Sequence, residues 1–269
     1  MTAAALRQRA WVEQIMGLPI SIHLRGNGLR SGVADERIAA IFAELRRVDE
    51  VLSPYRDDSD LSRWDRGEVG LADADPMLAE VVRLCELAHE RTEGWFDPRG
   101  LPDPRDGHPR YDPSGLVKGW AVERAAGHLA GLAGTGWCVN AGGDVLVHSP
   151  DGQPPWRVGI EHPGNPARIM RVVERRSGAV ATSGRTHRGS HIIDPYAHRP
   201  AETVQAVTVT GPTLLWADVY ATAAAARGKA SLPWLEAIAD YEALIVTSHG
   251  LLHTTGHWPS QELMTGDQC

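Results

Sequence analysis

Two polar residues stand four apart in an alanine-rich stretch, with Asp218 and Thr222 set in WADVYATAAAARG. On a helix that spacing puts both side chains on one face. A carboxylate and a hydroxyl are hard oxygen donors, suited to Mg2+ whose other positions are filled by carbonyls, water and phosphate. The plain alternative is an exposed aspartate beside a threonine bonded back to its own helix. Against it stands the composition, since these two are almost the only groups there that could do polar work on a face otherwise fit for burial.

A second candidate is YDPSGLVKGWAVERAAGHLAGL, residues 111–132. Asp112, Ser114 and Gly115 read as a turn of small residues running into Lys118-Gly119 and then a helix. A helix start with N–H groups to spare, flanking glycine and one lysine is a ready anion site, and Lys118 is expected at the helix mouth. The bland reading is a loop-to-helix junction carrying a surface lysine. Asn140-Ala141-Gly142-Gly143-Asp144 is a glycine turn between strands, where backbone N–H groups can approach a ligand or simply close a hairpin.

Ser183-Gly184 lacks the pattern around a hydrolase nucleophile. His191 and Asp194, in His191-Ile192-Ile193-Asp194-Pro195, are candidates for proton transfer or ligand positioning, though an isolated histidine is also a common structural residue. His249, His253 and His257 fall at helical spacing, but Gly250 and Gly256 argue against a helix and so against a zinc site.

The elements that must position these residues follow from periodicity. Val12, Ile15, Ile20, Ile22 and Leu24 alternate around Met16-Gly17 as strand, turn, strand, closed by Gly26-Asn27-Gly28. Ile38, Ile41, Phe42, Leu45, Val48 and Leu52 mark a helix from near Asp35 to Ser53-Pro54. Tyr55 to Trp64 reads as a polar loop. Asp75-Pro76 caps a second helix that ends by Gly94, and Gly94 to Asp112 reads as an irregular, proline- and glycine-rich loop. Val122, Ala125, Ala126, Leu129 and Ala133 form the buried stripe of the central helix.

Short strands are expected at Trp137–Val147 (with its glycine turn), Trp156–Ile160, Arg171–Glu174, Ala179–Thr182 and Val204–Val209. Helices follow at Leu214–Arg227, stopped by Gly228, and at Ser231–Tyr241. Ala243–Thr255 reads as a final hairpin turning at His249-Gly250. Mixed helices and strands without βαβ alternation place the chain in the α+β class.

With 269 residues there is chain enough for a sizeable core. A net charge of −7 offers no electrostatic footprint for nucleic acid, and no apolar run is long enough to span a bilayer. Cys85, Cys138 and Cys269 lie too far apart to suggest a disulfide framework or a zinc knuckle. The N-terminus does not read as a signal segment, so a cytoplasmic location is expected.

In order along the chain, several blocks together resemble the ApbE family of FAD:protein FMN transferases. They are Met16-Gly17, SPYRDDSDLSRW, WFDP at 95–98, DPSGLVKGWAVERA from 112, VNAGGD at 139–144, TSG at 182–184, HIIDP at 191–195 and ADVYAT at 217–222. The resemblance implies an α+β fold of mixed sheets and packed helices, a T-fold-related single domain over residues 1–269 with an FAD groove. It implies that Mg2+ serves to cut the FAD pyrophosphate, that FMN passes to a Thr or Ser hydroxyl of a partner flavoprotein, and that AMP leaves.

By motif match the metal would be held by Asp218, Thr222 and the backbone carbonyl of Gly115. Asp112 and Lys118 would line the FAD site, with Met16, Tyr55, Trp95, Phe96 and Asp97 on the rings or ribityl chain. Gly142, Gly143, Ser183 and Gly184 would complete the pocket, and His191 and Ile193 would close over the flavin and pyrophosphate. His191, Asp194 and Lys118 are the residues expected to assist the chemistry.

The sequence departs from the family pattern at Tyr196-Ala197-His198-Arg199, at Arg185 to Arg188, and at Trp64-Asp65. The first two put partner choice in doubt more than FAD binding. An FAD pyrophosphatase using the same site with water as acceptor, and a carrier that holds FAD without turnover, remain open at this stage.

Overall fold

The structure is a computed structural model and describes residues 6–26, 29, 32–99, 101–102, 107, 109–184 and 192–259. In chain order the elements are β1 (Gln8–Ile15), β2 (Leu18–Gly26), α1 (Gly32–Leu52), α2 (Asp60–Asp65), α3 (Pro76–Arg91), β3 (Leu101–Pro102), β4 (Pro109–Arg110) and α4 (Ser114–Ala126). There follow β5 (Thr135–Ala141), β6 (Asp144–His148), β7 (Trp156–His162), β8 (Asn165–Arg175), β9 (Ser177–Gly184), β10 (Ile193–Asp194) and β11 (Arg199–Pro200). The chain continues through β12 (Val204–Gly211), α5 (Leu214–Arg227), α6 (Ser231–Glu236), β13 (Glu242–Thr247) and β14 (Leu252–Thr254).

Eight strands form one antiparallel sheet in the order β1-β2-β5-β6-β9-β12-β13-β14. Alternating side chains split its residues between two cores. Ile20, Ile22, Val139, Leu146, Ala179, Ala181, Val207, Val209, Ala243 and Ile245 join the helices in one cluster. Val145, Val147, Val180 and Leu244 join the β7–β8 hairpin (Val158, Ile160, Val173) and Trp258 in the other. Strands buried on both faces read as continuous apolar runs rather than as alternation, which is why Val145 to Val147 is apolar throughout.

The Met16-Gly17 turn joins Ile15 to Leu18 in register, with φ of 55° and 71°. Both angles are positive, as a two-residue hairpin requires. Helix α1 buries Ala34, Ile38, Ile41, Phe42, Leu45, Val48, Val51 and Leu52 along one stripe. Helix α3 starts where Asp75 accepts the Met77 N–H at 2.9 Å. Helix α5 stops at Gly228, whose φ is 71°.

Several expected bounds shift, each for a local reason. The 55–64 stretch is not all loop. Buried Ser59 accepts the Ser62 N–H at 3.0 Å and donates to the Ser53 carbonyl at 2.7 Å, so α2 is capped and tied to the end of α1. Helix α4 begins at Ser114, because Asp112 Oδ1 accepts from both the Ser114 N–H and its hydroxyl. Lys118 is therefore one turn inside the helix, not at its mouth. Helix α1 starts a little before Asp35, and α6 ends at Glu236, short of Tyr241. Strand β8 extends well beyond Arg171–Glu174 at its N-terminal side, where its residues are exposed and carry no apolar pattern.

Among the described residues no helix is long and apolar enough to cross a membrane. His249 lies in the turn after β13, His253 on β14 and His257 in the turn beyond. Among the described residues no three His, Cys, Asp or Glu side chains are grouped as a metal would need.

Candidate functional site

The site is made by the packing of α4 on the start of α5. A Cβ at Gly119 would lie 2.8 Å from the Leu214 carbonyl oxygen and 2.9 Å from Leu215 Cα, so only glycine lets the two backbones meet there. One turn on, the Glu123 carboxylate accepts from the Leu214 N–H. It thus caps a helix whose own N-cap residue, Thr213, supplies no side-chain cap. Burial pushes the Glu123 carboxyl up, and hydrogen bonds from the Leu214 and Leu215 N–H groups oppose that shift.

This contact brings Lys118 of α4 to Asp218 of α5. Lys118 Nζ makes a close ion pair with Asp144 Oδ2 and lies 3.6 Å from Asp218 Oδ2. Both carboxylates are 2% exposed and the lysine side chain 19%. Asp144 opens β6, and its Oδ1 accepts the Thr182 N–H of β9 at 2.9 Å. Two buried carboxylates thus face one ammonium, and buried charges of this kind are held only where they are paired.

Thr222 lies one turn beyond Asp218, and its Oγ1 is 3.0 Å from Ser183 Oγ on β9, not bonded back into its own helix. Gly115 lies one turn before Gly119. A Cβ built on it would sit 3.2 Å from both Thr222 Oγ1 and Phe96 Cε2. Gly115, Lys118, Asp218, Thr222, Ser183 and Phe96 are thereby brought to one junction. A hard cation fits this donor set: a buried carboxylate, a hydroxyl and a backbone segment bare of side chain.

A groove of about 450 Å3 opens beside Lys118, between the Met16-Gly17 turn, the end of α1 and the start of α4. Met16, Leu18, Asp49, Tyr55, Ser114 and Val117 line it with Lys118, a volume in the range of small-molecule pockets. Met16 holds its left-handed backbone there, and Tyr55 is 75% exposed. The amides of the first turn of α4 are largely committed. Ser114 donates to Asp112, and Leu116 and Val117 donate to the Pro113 carbonyl. Among the described residues lining the groove, Lys118 is the one basic side chain.

The other expected residues spread around this centre. Trp95 packs edge-on against Tyr196 at 4.9 Å, and the Tyr196 hydroxyl donates to the Glu93 carbonyl. Asp97 faces a second hollow, of about 380 Å3, with Trp64, Glu86, His89, Arg99 and Tyr111. The N–H groups of Gly142 and Gly143 are taken by the Pro19 carbonyl and Asn140 Oδ1, as a closed hairpin requires. Gly184 pairs with Ala206 in the sheet. Ile193 and Asp194 form β10, where Asp194 Oδ1 accepts the Tyr196 and Ala197 N–H groups at 2.9 Å. His191 lies outside the described residues.

Two acidic residues at the site were not singled out by sequence reading. Asp144 sits inside a motif that was, but its signal is the charge itself, opening a strand whose next three residues, Val145 to Val147, are apolar. Asp49 lies in the last turn of α1, where the helix dipole disfavours an acid and no basic residue compensates. Burial raises its carboxyl pKa, with Arg56 pulling the other way. Asp65 accepts the Tyr111 N–H at 3.1 Å and pairs with Arg99 at 3.4 Å.

The FAD:protein FMN transferase of Vibrio cholerae serotype O1 is 29% identical over 258 residues, covering 74% of this chain and 76% of that protein. The solved structure of a flavin transferase ApbE from Vibrio cholerae superposes with a TM-score of 0.78 at 21% identity, over 94% of this chain and 98% of that one. The apo flavinyl transferase ApbE of Pseudomonas stutzeri gives 0.78 at 24% identity, over 95% and 97%. These likenesses establish the α+β fold. The ApbE family matches residues 16–102 and 105–245, and the chain belongs to that family.

Proposed function

We propose that the protein is a Mg2+-dependent FAD:protein FMN transferase, acting as one domain over residues 1–269 on a Thr or Ser of a partner flavoprotein. The observation that carries this reading is the meeting of Lys118, Asp218, Thr222 and Gly115 at the α4–α5 contact, beside a groove sized for part of a dinucleotide.

Asp218, Thr222 and the Gly115 carbonyl would hold Mg2+, which when bound neutralises charge on the pyrophosphate. The groove walls at Met16, Leu18 and Val117 would shelter an apolar ring system. Tyr55 is exposed at the mouth, where a stacking face is of use. Phe96 closes the inner side against Gly115. Lys118 offers an ammonium to non-bridging phosphate oxygens, where positioning and charge supply most of the catalysis of phosphoryl transfer. Asp112 acts by setting the start of α4 and hence the position of Lys118.

Asp194, whose Oδ1 holds the turn, and His191 would be the groups that take the acceptor proton. Gly142, Gly143, Ser183, Gly184, Ile193, Trp95 and Asp97 would belong to the same FAD site by the family resemblance. A cytoplasmic location is proposed with this activity and is checked by fractionation.

The test is to incubate the protein with FAD, Mg2+ and candidate acceptor flavoproteins, then weigh the products by mass spectrometry. An FMN adduct on an acceptor hydroxyl is the expected result. Free FMN and AMP with an unmodified acceptor would replace the proposal by an FAD pyrophosphatase, and unchanged FAD would replace it by a carrier.

A further inference from the structure

We propose that Asp144 is a positioning residue whose carboxylate draws the Lys118 ammonium to itself, so that Asp218 stays available to a divalent cation. This deepens the metal reading above and rests on it. The two oxygens of Asp144 do different work. Oδ1 is fixed by the Thr182 N–H at 2.9 Å, and Thr182 is itself held in the sheet against Thr208, so the carboxylate cannot swing. Oδ2 makes the close pair with Lys118 Nζ.

Asp218 Oδ2 is left at 3.6 Å from the same ammonium, an ion-pair distance beyond hydrogen-bond reach. The lysine stem is flexible, and a compact ammonium moves to whichever buried carboxylate holds it best. Among the described residues, the buried carboxylate next nearest to Lys118 after Asp144 is that of Asp218. Without the Asp144 charge, the ammonium moves onto the carboxylate oxygen that a metal needs and competes with it directly.

Asp144→Asn separates this role from a structural one. Asparagine keeps the size and an Oδ1 acceptor for Thr182 N–H, but presents an NH2 group to Lys118 in place of an anion. Mn2+ is titrated into each variant with FAD present and acceptor absent, and free Mn2+ is read from its electron paramagnetic resonance signal. Asp144→Asn is expected to weaken Mn2+ binding about tenfold or more, the usual scale for a residue supporting a metal ligand, with the melting temperature little changed. Asp144→Asn combined with Lys118→Met is expected to recover most of that loss, because the competing ammonium is gone.

Mn2+ binding by Asp144→Asn within about twofold of the wild type, or a double variant as weak as the single one, overturns the proposal. The Asp218→Ala variant distinguishes the two levels of failure. Binding lost in Asp218→Ala but kept in Asp144→Asn removes only the role of Asp144. Binding kept in Asp218→Ala, or absent from the wild type, removes the metal reading and this inference with it.

Discussion

Replacing Gly119 by alanine tests how the site is assembled. The added methyl would sit 2.8–2.9 Å from the carbonyl oxygen and carbon of Leu214 and from Leu215 Cα. All three are main-chain atoms, so no side chain can turn away, and α4 and α5 must separate. Overpacking of this kind costs about 1–3 kcal/mol, and backbone obstruction favours the upper half of that range. The better helix propensity of alanine returns up to about 1 kcal/mol. The net loss is about 1–2 kcal/mol, or roughly 2–4 °C in melting temperature for a chain of this size.

Gly127, which caps the end of the same helix, supplies the control. Its φ is −54° and nothing lies within 4 Å of a built Cβ, so Gly127→Ala should stabilise by about 0.5–1 kcal/mol. Urea denaturation of both variants gives the difference, which should be about 2 kcal/mol. Because α4 carries Gly115 and Lys118 and α5 carries Asp218 and Thr222, Gly119→Ala should also lower FAD turnover, whereas Gly127→Ala should not. If the two variants show the same stability and the same turnover, the close helix contact does not set the site and the reasoning fails.

Three further outcomes follow from the same geometry. Burial raises the Glu123 pKa, so the folded state holds its proton more tightly than the unfolded one, and wild-type stability falls as pH rises from about 4.3 through the folded value. Glu123→Gln keeps an acceptor for the Leu214 N–H without the charge. It should gain on the wild type across that window in urea melts at successive pH values, and a flat difference would refute the assignment. Ser59→Ala should cost about 1–2 kcal/mol in urea denaturation, since it removes the α2 cap and the bond to Ser53. The Cys85 and Cys138 thiols are pushed up to about 12 by burial, so mapped alkylation near neutral pH should leave both unmodified until the protein unfolds.

What could be read from the sequence, and what could not, divides by the range of the interaction. Helices α1 and α5 were legible because Ile38 to Leu52 keep a helical stripe and Gly228 supplies a stop. The Met16-Gly17 hairpin was legible because two short alternating runs flank a turn pair. Asp218 and Thr222 stood out as polar residues in an alanine run.

The stretch before Trp64 reads as loop because its polar residues hide a serine cap and a single buried leucine, Leu61. The start of α4 was misplaced because Asp112 and Pro113 organise a first turn whose small residues resemble a loop. No periodicity could announce that Lys118 sits between Asp144 and Asp218, since three elements distant in sequence must pack before those charges meet. Only Arg171–Glu174 of β8 was legible; its exposed N-terminal part escaped because pairing with β7, not its own pattern, makes it a strand.

The measurement that bears most directly on the central claim compares FAD cleavage by the wild type and by Asp218→Ala, with AMP release and equilibrium FAD binding followed on the same samples. AMP should appear with the wild type, Mg2+ and an acceptor flavoprotein, and should be absent with Asp218→Ala under the same conditions while that variant still binds FAD. AMP release by Asp218→Ala at the wild-type rate would show that the diphosphate is not cut at the α4–α5 junction.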